Sequence, residues 1–99
     1  MKKMLLSLIL ISISTTLYAQ DATKGEALYK QCVACHGMKG EGNSAQKAPR
    51  LKGQYDWYLV TQLENMKAKK LRKNAVMDPF LAKLSAQDMK DLAAFISKL

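Results

Sequence analysis

Residues 32–36 read Cys-Val-Ala-Cys-His, and these five positions hold every cysteine and the single histidine of the 99-residue chain. C-x-x-C-H is the attachment signature of a c-type haem. Two thiols, Cys32 and Cys35, can each add across a vinyl group and tether the macrocycle covalently. Positions three and four apart share one face of a helical turn. The imidazole of His36 therefore falls beneath the tethered ring, where one nitrogen can ligate iron. This feature constrains the fold more than any other, because a chain so built must close around the group it carries.

Three other chemistries use parts of the same pattern. A thiol–disulfide oxidoreductase carries C-x-x-C at a helix start inside a βαβ pattern, and no such pattern is visible. A structural zinc site takes four protein ligands; here a carboxylate would have to join two cysteines and one histidine. A plain disulfide between Cys32 and Cys35 closes a very short loop and leaves His36 unexplained.

The N-terminus agrees with an exported chain. Lys2 and Lys3 precede an uncharged run from Met4 to Leu17, which ends near Leu17-Tyr18-Ala19. This pattern resembles a secretory signal peptide cleaved after Ala19. A retained anchor is the alternative, but the run is shorter than the roughly 20 residues a spanning helix needs. No stable membrane insertion is expected. The reading is a signal peptide over residues 1–19 and one domain over 20–99. Eighty residues make a small core that usually needs a staple, and a covalently held porphyrin serves as one. Without it a poorly folded chain is expected, as in small metallodomains.

The chain has 16 Lys+Arg against 8 Asp+Glu. Without Lys2 and Lys3 the balance is 14 against 8, or +6. This favours acidic partners and steers their association at low salt. No nucleic-acid motif accompanies the charge, so no nucleic-acid partner is expected.

Helical spacing marks three segments. Leu28, Tyr29, Cys32 and Val33 predict a first helix over Thr23–Ala34, with Thr23 as N-cap. Gly37 follows His36 and can end it. A loop rich in glycine, with Pro49, runs to about Gly53. Tyr55, Tyr58, Leu59, Gln62, Leu63 and Met66 predict a second helix over Gln54–Lys69 with one packed stripe. A second loop is expected over Lys70–Leu84. The last helix begins at Ser85, where Ser85 and Asp88 form a capping box; Met89, Leu92, Ala93, Ile96 and Leu99 supply its stripe. No segment alternates with period two, so the expected class is all-α.

His36 alone leaves one face of an iron open, and the chain has no second histidine. The methionines after residue 19 are Met38, Met66, Met77 and Met89. Met38 lies too near His36 to reach the opposite face, and Met66 and Met89 sit on core stripes. Met77 lies in a loop long enough to cross, with Pro79 restricting the backbone beyond it. Met77 is thus the candidate distal ligand; its alternative is a loop methionine packed on the porphyrin edge.

The sequence resembles the class I cytochromes c, especially small bacterial monohaem forms of the cytochrome c553 type, over nearly the whole of residues 20–99. The resemblance rests on Cys32-Val-Ala-Cys-His36-Gly37, Gly25-Glu26-Ala27-Leu28-Tyr29, Ala48-Pro49-Arg50-Leu51-Lys52-Gly53-Gln54, Tyr58-Leu59, Gln62-Leu63, Arg72, Met77-x-Pro79 and Leu92-Ala93-Ala94-Phe95-Ile96. It implies a class I cytochrome c fold, with three main helices and loops wrapped around one covalently bound haem c. It also implies thioethers at Cys32 and Cys35, a proximal ligand in His36 and a distal one in Met77. The carbonyl of Pro49 would accept a hydrogen bond from the other ring nitrogen of His36. Gly25 and Tyr29 would meet Leu92 and Phe95 where the terminal helices cross.

The function this implies is that of a soluble periplasmic single-electron carrier, not an enzyme. Its partners would be acidic redox proteins: a membrane cytochrome complex as donor, and a terminal oxidase, reductase or peroxidase as acceptor. Lys39, Lys47, Lys52 and Lys73 are candidates for a steering rim. The alternatives are a haem subunit of a larger oxidase or reductase complex, and a haem ligand-binding or sensing module.

Overall fold

The computed structural model describes residues 3, 9–13 and 19–99. Much of the expected signal peptide, residues 1–2, 4–8 and 14–18, lies outside the described residues. Among the described residues five helices follow in order: α1 (Ala22–Tyr29), α2 (Val33–His36), α3 (Asp56–Lys67), α4 (Asp78–Leu81) and α5 (Ala86–Ile96). A single 3₁₀ turn spans Ser44–Gln46. Among the described residues there is no strand, only an isolated antiparallel bridge between Asn43 and Ala48. No helix among them is long and apolar enough to cross a membrane.

The start of α1 differs from expectation. Asp21, not Thr23, is the N-cap, and its carboxylate accepts from the amides of Thr23 and Lys24 at 3.0 and 3.1 Å. Aspartate is the stronger cap, and it takes two of the amides that a helix start leaves without partners. The expected first helix is also interrupted. The chain tightens after Tyr29, where Cys32 N–H donates to the Tyr29 carbonyl at 2.8 Å, an i→i+3 contact. The one-turn helix α2 then restarts at Val33 and delivers His36.

The terminal helices α1 and α5 form the main packing contact, and α3 crosses α5 beside them. Gly25 makes the crossing possible. A Cβ built there would collide with the Asp91 carbonyl and lie 2.9 Å from Phe95 Cβ. Tyr29 stacks at a tilt against Phe95, ring centroids 5.4 Å apart. Asp91, only 1% exposed, receives the Asp21 amide and the Gln87 side-chain amide, each at 2.9 Å. Two donors offset the cost of burying that carboxylate.

The α5 stripe is buried as its periodicity requires: Met89, Leu92, Ala93 and Ile96 join Tyr29, Leu59, Leu81 and Leu84 in one core. Ser85 caps α5 through a complete capping box with Asp88. On α3 the stripe from Tyr58 to Met66 turns inward, but Tyr55 is 70% exposed. Tyr55 is the N-cap residue, outside the helical period, and so does not follow it. The segment expected as a plain loop over Lys70–Leu84 contains α4, with Pro79 in its first turn, where the missing N–H has no partner to lose.

Candidate functional site

A cavity of about 490 Å³ opens between α2, α3, the 70–84 segment and α5. That lies inside the roughly 300–1,000 Å³ range of small-molecule sites. Its inner wall is aliphatic, drawn from Leu59, Leu63, Leu81, Leu84, Leu92 and Ile96. These are the core side chains facing one void instead of one another. Its mouth is polar and cationic, with Lys47, Arg50, Arg72 and Lys73.

Four of the five residues expected at a haem site line this cavity: Cys32, His36, Pro49 and Met77. Cys35 does not; it is half-buried on α2. Both thiols are free. Burial pushes the Cys32 thiol up from its ordinary range, and neighbouring Cys35 adds to that. A dithiol oxidoreductase needs the opposite, a thiol lowered toward thiolate. Among the described residues no three His, Cys, Asp or Glu side chains converge to hold a metal ion, so no carboxylate completes a zinc site.

His36 is 6% exposed, and its Nδ1 lies 2.8 Å from the Pro49 carbonyl oxygen. A carbonyl only accepts, so Nδ1 carries the proton. In the neutral ring Nε2 then holds the lone pair, and the imidazole orientation is fixed from behind. The loop that brings Pro49 there is closed by local bonds. Gly42 N–H donates to the His36 carbonyl at 2.8 Å, and Leu51 and Lys52 N–H donate to the Gly40 carbonyl at 2.8 and 2.9 Å. Gly37 ends α2 at φ +88°, a left-handed backbone that a side chain would strain. The Tyr29 hydroxyl donates to the Gly37 carbonyl at 2.5 Å and ties this turn to α1. Burial, foremost, raises the Tyr29 hydroxyl above its usual range, which keeps it a donor.

Met77 stands at the N-cap of α4, half-buried, with its side chain on the cavity wall. Asn74 holds it there. The Asn74 side-chain oxygen accepts from the amides of Val76 and Met77 at 3.0 and 3.2 Å. The Asp78 amide donates to the Asn74 carbonyl at 3.0 Å. The sequence reading passed over Asn74, although an asparagine two and three residues before amides that need acceptors is a recognisable turn signal. Arg50, named there only as part of a motif and not among the rim cations, lies at the mouth. Of the four lysines expected on the rim, Lys47 and Lys73 line the mouth, whereas Lys39 and Lys52 do not. The Arg72 guanidinium donates to the Tyr58 hydroxyl at 3.2 Å and links the 70–84 segment to α3 across the opening.

These residues fit a haem group. An apolar void receives a porphyrin face, a thiol stands beside it, and a buried imidazole presents an oriented lone pair. The thioether of Met77 comes to the same void from a separate segment.

Residues 22–99 match the family model described as Cytochrome c. Cytochrome c4 of Stutzerimonas stutzeri is 39% identical over 98% of this chain and 50% of its own length. Cytochrome c-553 of Helicobacter pylori is 32% identical over 100% of this chain and 99% of its own length. The solved structure of Acidithiobacillus ferrooxidans cytochrome c4 superposes with a TM-score of 0.72 at 30% identity, over 87% of this chain and 54% of that one. The chain thus spans about half the length of the cytochrome c4 relatives and nearly all of the c-553 relative.

Proposed function

The chain belongs to the cytochrome c family, whose prosthetic group is covalently bound haem c, and from that premise we propose that it is a periplasmic single-electron carrier with one haem held between His36 and Met77. The observation that carries this reading is the convergence of two soft donors on one apolar cavity: an imidazole pinned at Nδ1 by Pro49 and the thioether of Met77. Haem bound there supplies an iron that alternates between two oxidation states and so takes up and releases one electron.

The motif and the geometry together support a role for each of these residues. Cys32 and Cys35 of the C-x-x-C-H motif would tether the group through thioethers. Pro49 orients the His36 ring so that Nε2 points its lone pair inward. Met77 supplies a sulfur ligand, which raises the reduction potential relative to a second nitrogen. The leucines of the inner wall exclude water, and a dry, preorganised site needs little rearrangement when its charge changes by one. The cationic mouth draws an acidic partner and speeds encounter at low salt. The chain forms no bond with a substrate and is not an enzyme. Export, with cleavage after Ala19, would place it where covalent haem attachment occurs.

The test is made on protein matured in a cell competent for cytochrome assembly. Intact mass should exceed that of residues 20–99 by one haem. The oxidised form should show the far-red sulfur-to-iron charge-transfer band, and Met77→Ala should abolish that band, shift iron toward high spin and lower the potential. A band that survives Met77→Ala removes Met77 from the site and points to Met66, the other cavity-wall methionine.

One observation favours a second reading, a haem subunit of a larger complex: the structure of the Acidithiobacillus ferrooxidans relative is described as supporting a complex-induced tuning of electron transfer. Native mass of the purified holoprotein separates the two. A free carrier runs at the mass of one chain, and a subunit brings its complex with it.

A further inference from the structure

The N-cap and first turn of α3 set three aromatic rings in a row. Tyr58 belongs to the cavity wall. Trp57 meets it edge-on, centroids 6.0 Å apart at 86°. Tyr55 stacks on Trp57, 6.0 Å apart at 13°. Trp57 is the one tryptophan of the chain and is 64% exposed; Tyr55 is 70% exposed. Neither ring is part of the core, and the Tyr55 side chain does not cap the helix. Two large rings are therefore ordered against each other in water without serving the fold. Leaving such area hydrated forgoes the free energy its burial would release.

The charged side chains that share the cavity mouth with Tyr58 are cationic. Arg72 bonds the Tyr58 hydroxyl at 3.2 Å, and Arg50 and Lys73 stand at the same mouth. The one carboxylate in this turn, Asp56, is engaged by the Trp57 amide at 2.7 Å. An aromatic centre edged by arginine is the residue set that carries most of the binding energy at protein interfaces.

We infer that Trp57, backed by Tyr55 and Tyr58, is the anchor on which an acidic redox protein docks against the cavity mouth. The inference rests on the electron-carrier reading and adds the surface through which the carrier meets its partner. Charge complementarity chooses the occupant: a partner whose acidic rim surrounds an apolar centre matches arginines beside bare rings. An anionic bilayer offers the same charge and is the alternative that the vesicle arm of the experiment tests.

The experiment uses the mature holoprotein with two probes, the soluble acidic haem protein cytochrome b5 and inorganic hexacyanoferrate. In ¹⁵N NMR at low ionic strength, the single indole N–H, from Trp57, and the amides of residues 55–58 and Arg72 should shift saturably with cytochrome b5. In stopped flow, Trp57→Ala should slow electron exchange with cytochrome b5 about five- to tenfold, as truncation of a contributing interface residue does, while Trp57→Phe slows it less than about threefold. Hexacyanoferrate needs no docking surface, so its rate and the visible spectrum should not change. An unmoved indole, an unchanged rate with cytochrome b5, or an equal loss with both probes overturns the anchor. Movement of the indole with phosphatidylglycerol vesicles but not with cytochrome b5 also overturns it, in favour of a membrane contact. If the wild-type protein fails to exchange electrons with hexacyanoferrate, the carrier reading itself falls, and the anchor with it.

Discussion

The α1–α5 crossing and the 70–84 segment are held by different means. At the crossing every device joins protein to protein. Gly25 lets the Asp91 backbone approach, Tyr29 packs on Phe95, and Asp91 gathers the Asp21 amide and Gln87. The 70–84 segment has few such ties. Residues 71–76 are all exposed, and the segment is fastened by the Asn74 turn, the Arg72–Tyr58 bond and the Lys67 ammonium on the Leu84 carbonyl. Its apolar side chains, Met77, Leu81 and Leu84, line the cavity. One half of the molecule is closed by its own side chains; the other is arranged around a space. The first supplies a rigid platform for His36, and the second depends on what occupies the space.

The sharpest way to break that contrast is to withhold the prosthetic group. Chain made without cytochrome maturation, or as the double variant Cys32→Ala and Cys35→Ala, should lose its cooperative thermal transition. The void removes packing from at least six leucine and isoleucine side chains that line it, and each large-to-void loss costs on the order of 1–3 kcal/mol. A domain of this size has only about 5–10 kcal/mol in total. Differential scanning calorimetry and near-ultraviolet circular dichroism check this. A sharp transition without haem would show that the cavity half stands alone.

The next effect is on the platform. Gly25→Ala places a methyl group in the Asp91 carbonyl. The two helices must separate, at a cost of about 2–3 kcal/mol, against a helix-propensity gain of at most ~1 kcal/mol. Thermal unfolding of the holoprotein reads the loss. The far-red band should be retained, because the Met77 side belongs to the other half.

Asn74→Ala inverts this pattern. It leaves the Val76 and Met77 amides without their acceptor, but both are near water, so global stability should fall by only about 0.5–1 kcal/mol. The local consequence is larger. The charge-transfer band should bleach at lower temperature than the global unfolding transition, whereas in the wild type the two lie closer together. Coincident transitions in the variant would mean that the 70–84 segment is no looser than the crossing.

What was legible in the sequence divides along the same line. The α5 helix could be read from its cap to Ile96, because Ser85, Asp88 and the Met89–Ile96 stripe agree at every level of local preference, while Leu99, counted in that stripe, lies beyond its end. Cys32, Cys35 and His36 were singled out by the chemistry of their motif, whereas the Pro49 carbonyl beside His36 came from the family resemblance. The break between α1 and α2 was not, since Leu28, Tyr29, Cys32 and Val33 keep helical spacing across it. At the break the chain tightens through the Cys32–Tyr29 contact, and beside it the Tyr29 hydroxyl bonds the Gly37 carbonyl, a contact that periodicity does not encode. The start of α1 was misplaced by two residues, although Asp21 outranks Thr23 as a cap. The helix α4 was hidden because one turn shows no period, yet Asp78-Pro79 carried its start signal. Tyr55 shows the limit of periodicity as evidence: it fits the α3 stripe by number and faces water because the helix begins after it.

The smallest test concerns the link between α1 and α5 in acid. Asp88 accepts from the Ser85 amide at 3.0 Å, and Lys24 lies 3.3 Å away. The Ser85 backbone bond, foremost, holds the Asp88 carboxyl below its usual range, with Lys24 adding to it and burial opposing. A carboxyl lowered in the folded state binds its proton more readily when unfolded. Its stabilisation is therefore complete above the unfolded value near ~3.9 and is lost as pH falls through the lower folded value. Lys24 is half-exposed, so the ion pair adds little; the charge at the helix start is worth on the order of 0.5 kcal/mol. Asp88→Asn should lower stability by that small, constant amount from neutral pH to about 5, and the gap should close below ~4. Denaturant melts of wild type and variant across that range measure it. A gap that persists at the acid end would assign the effect to the shape of the cap, and not to its charge.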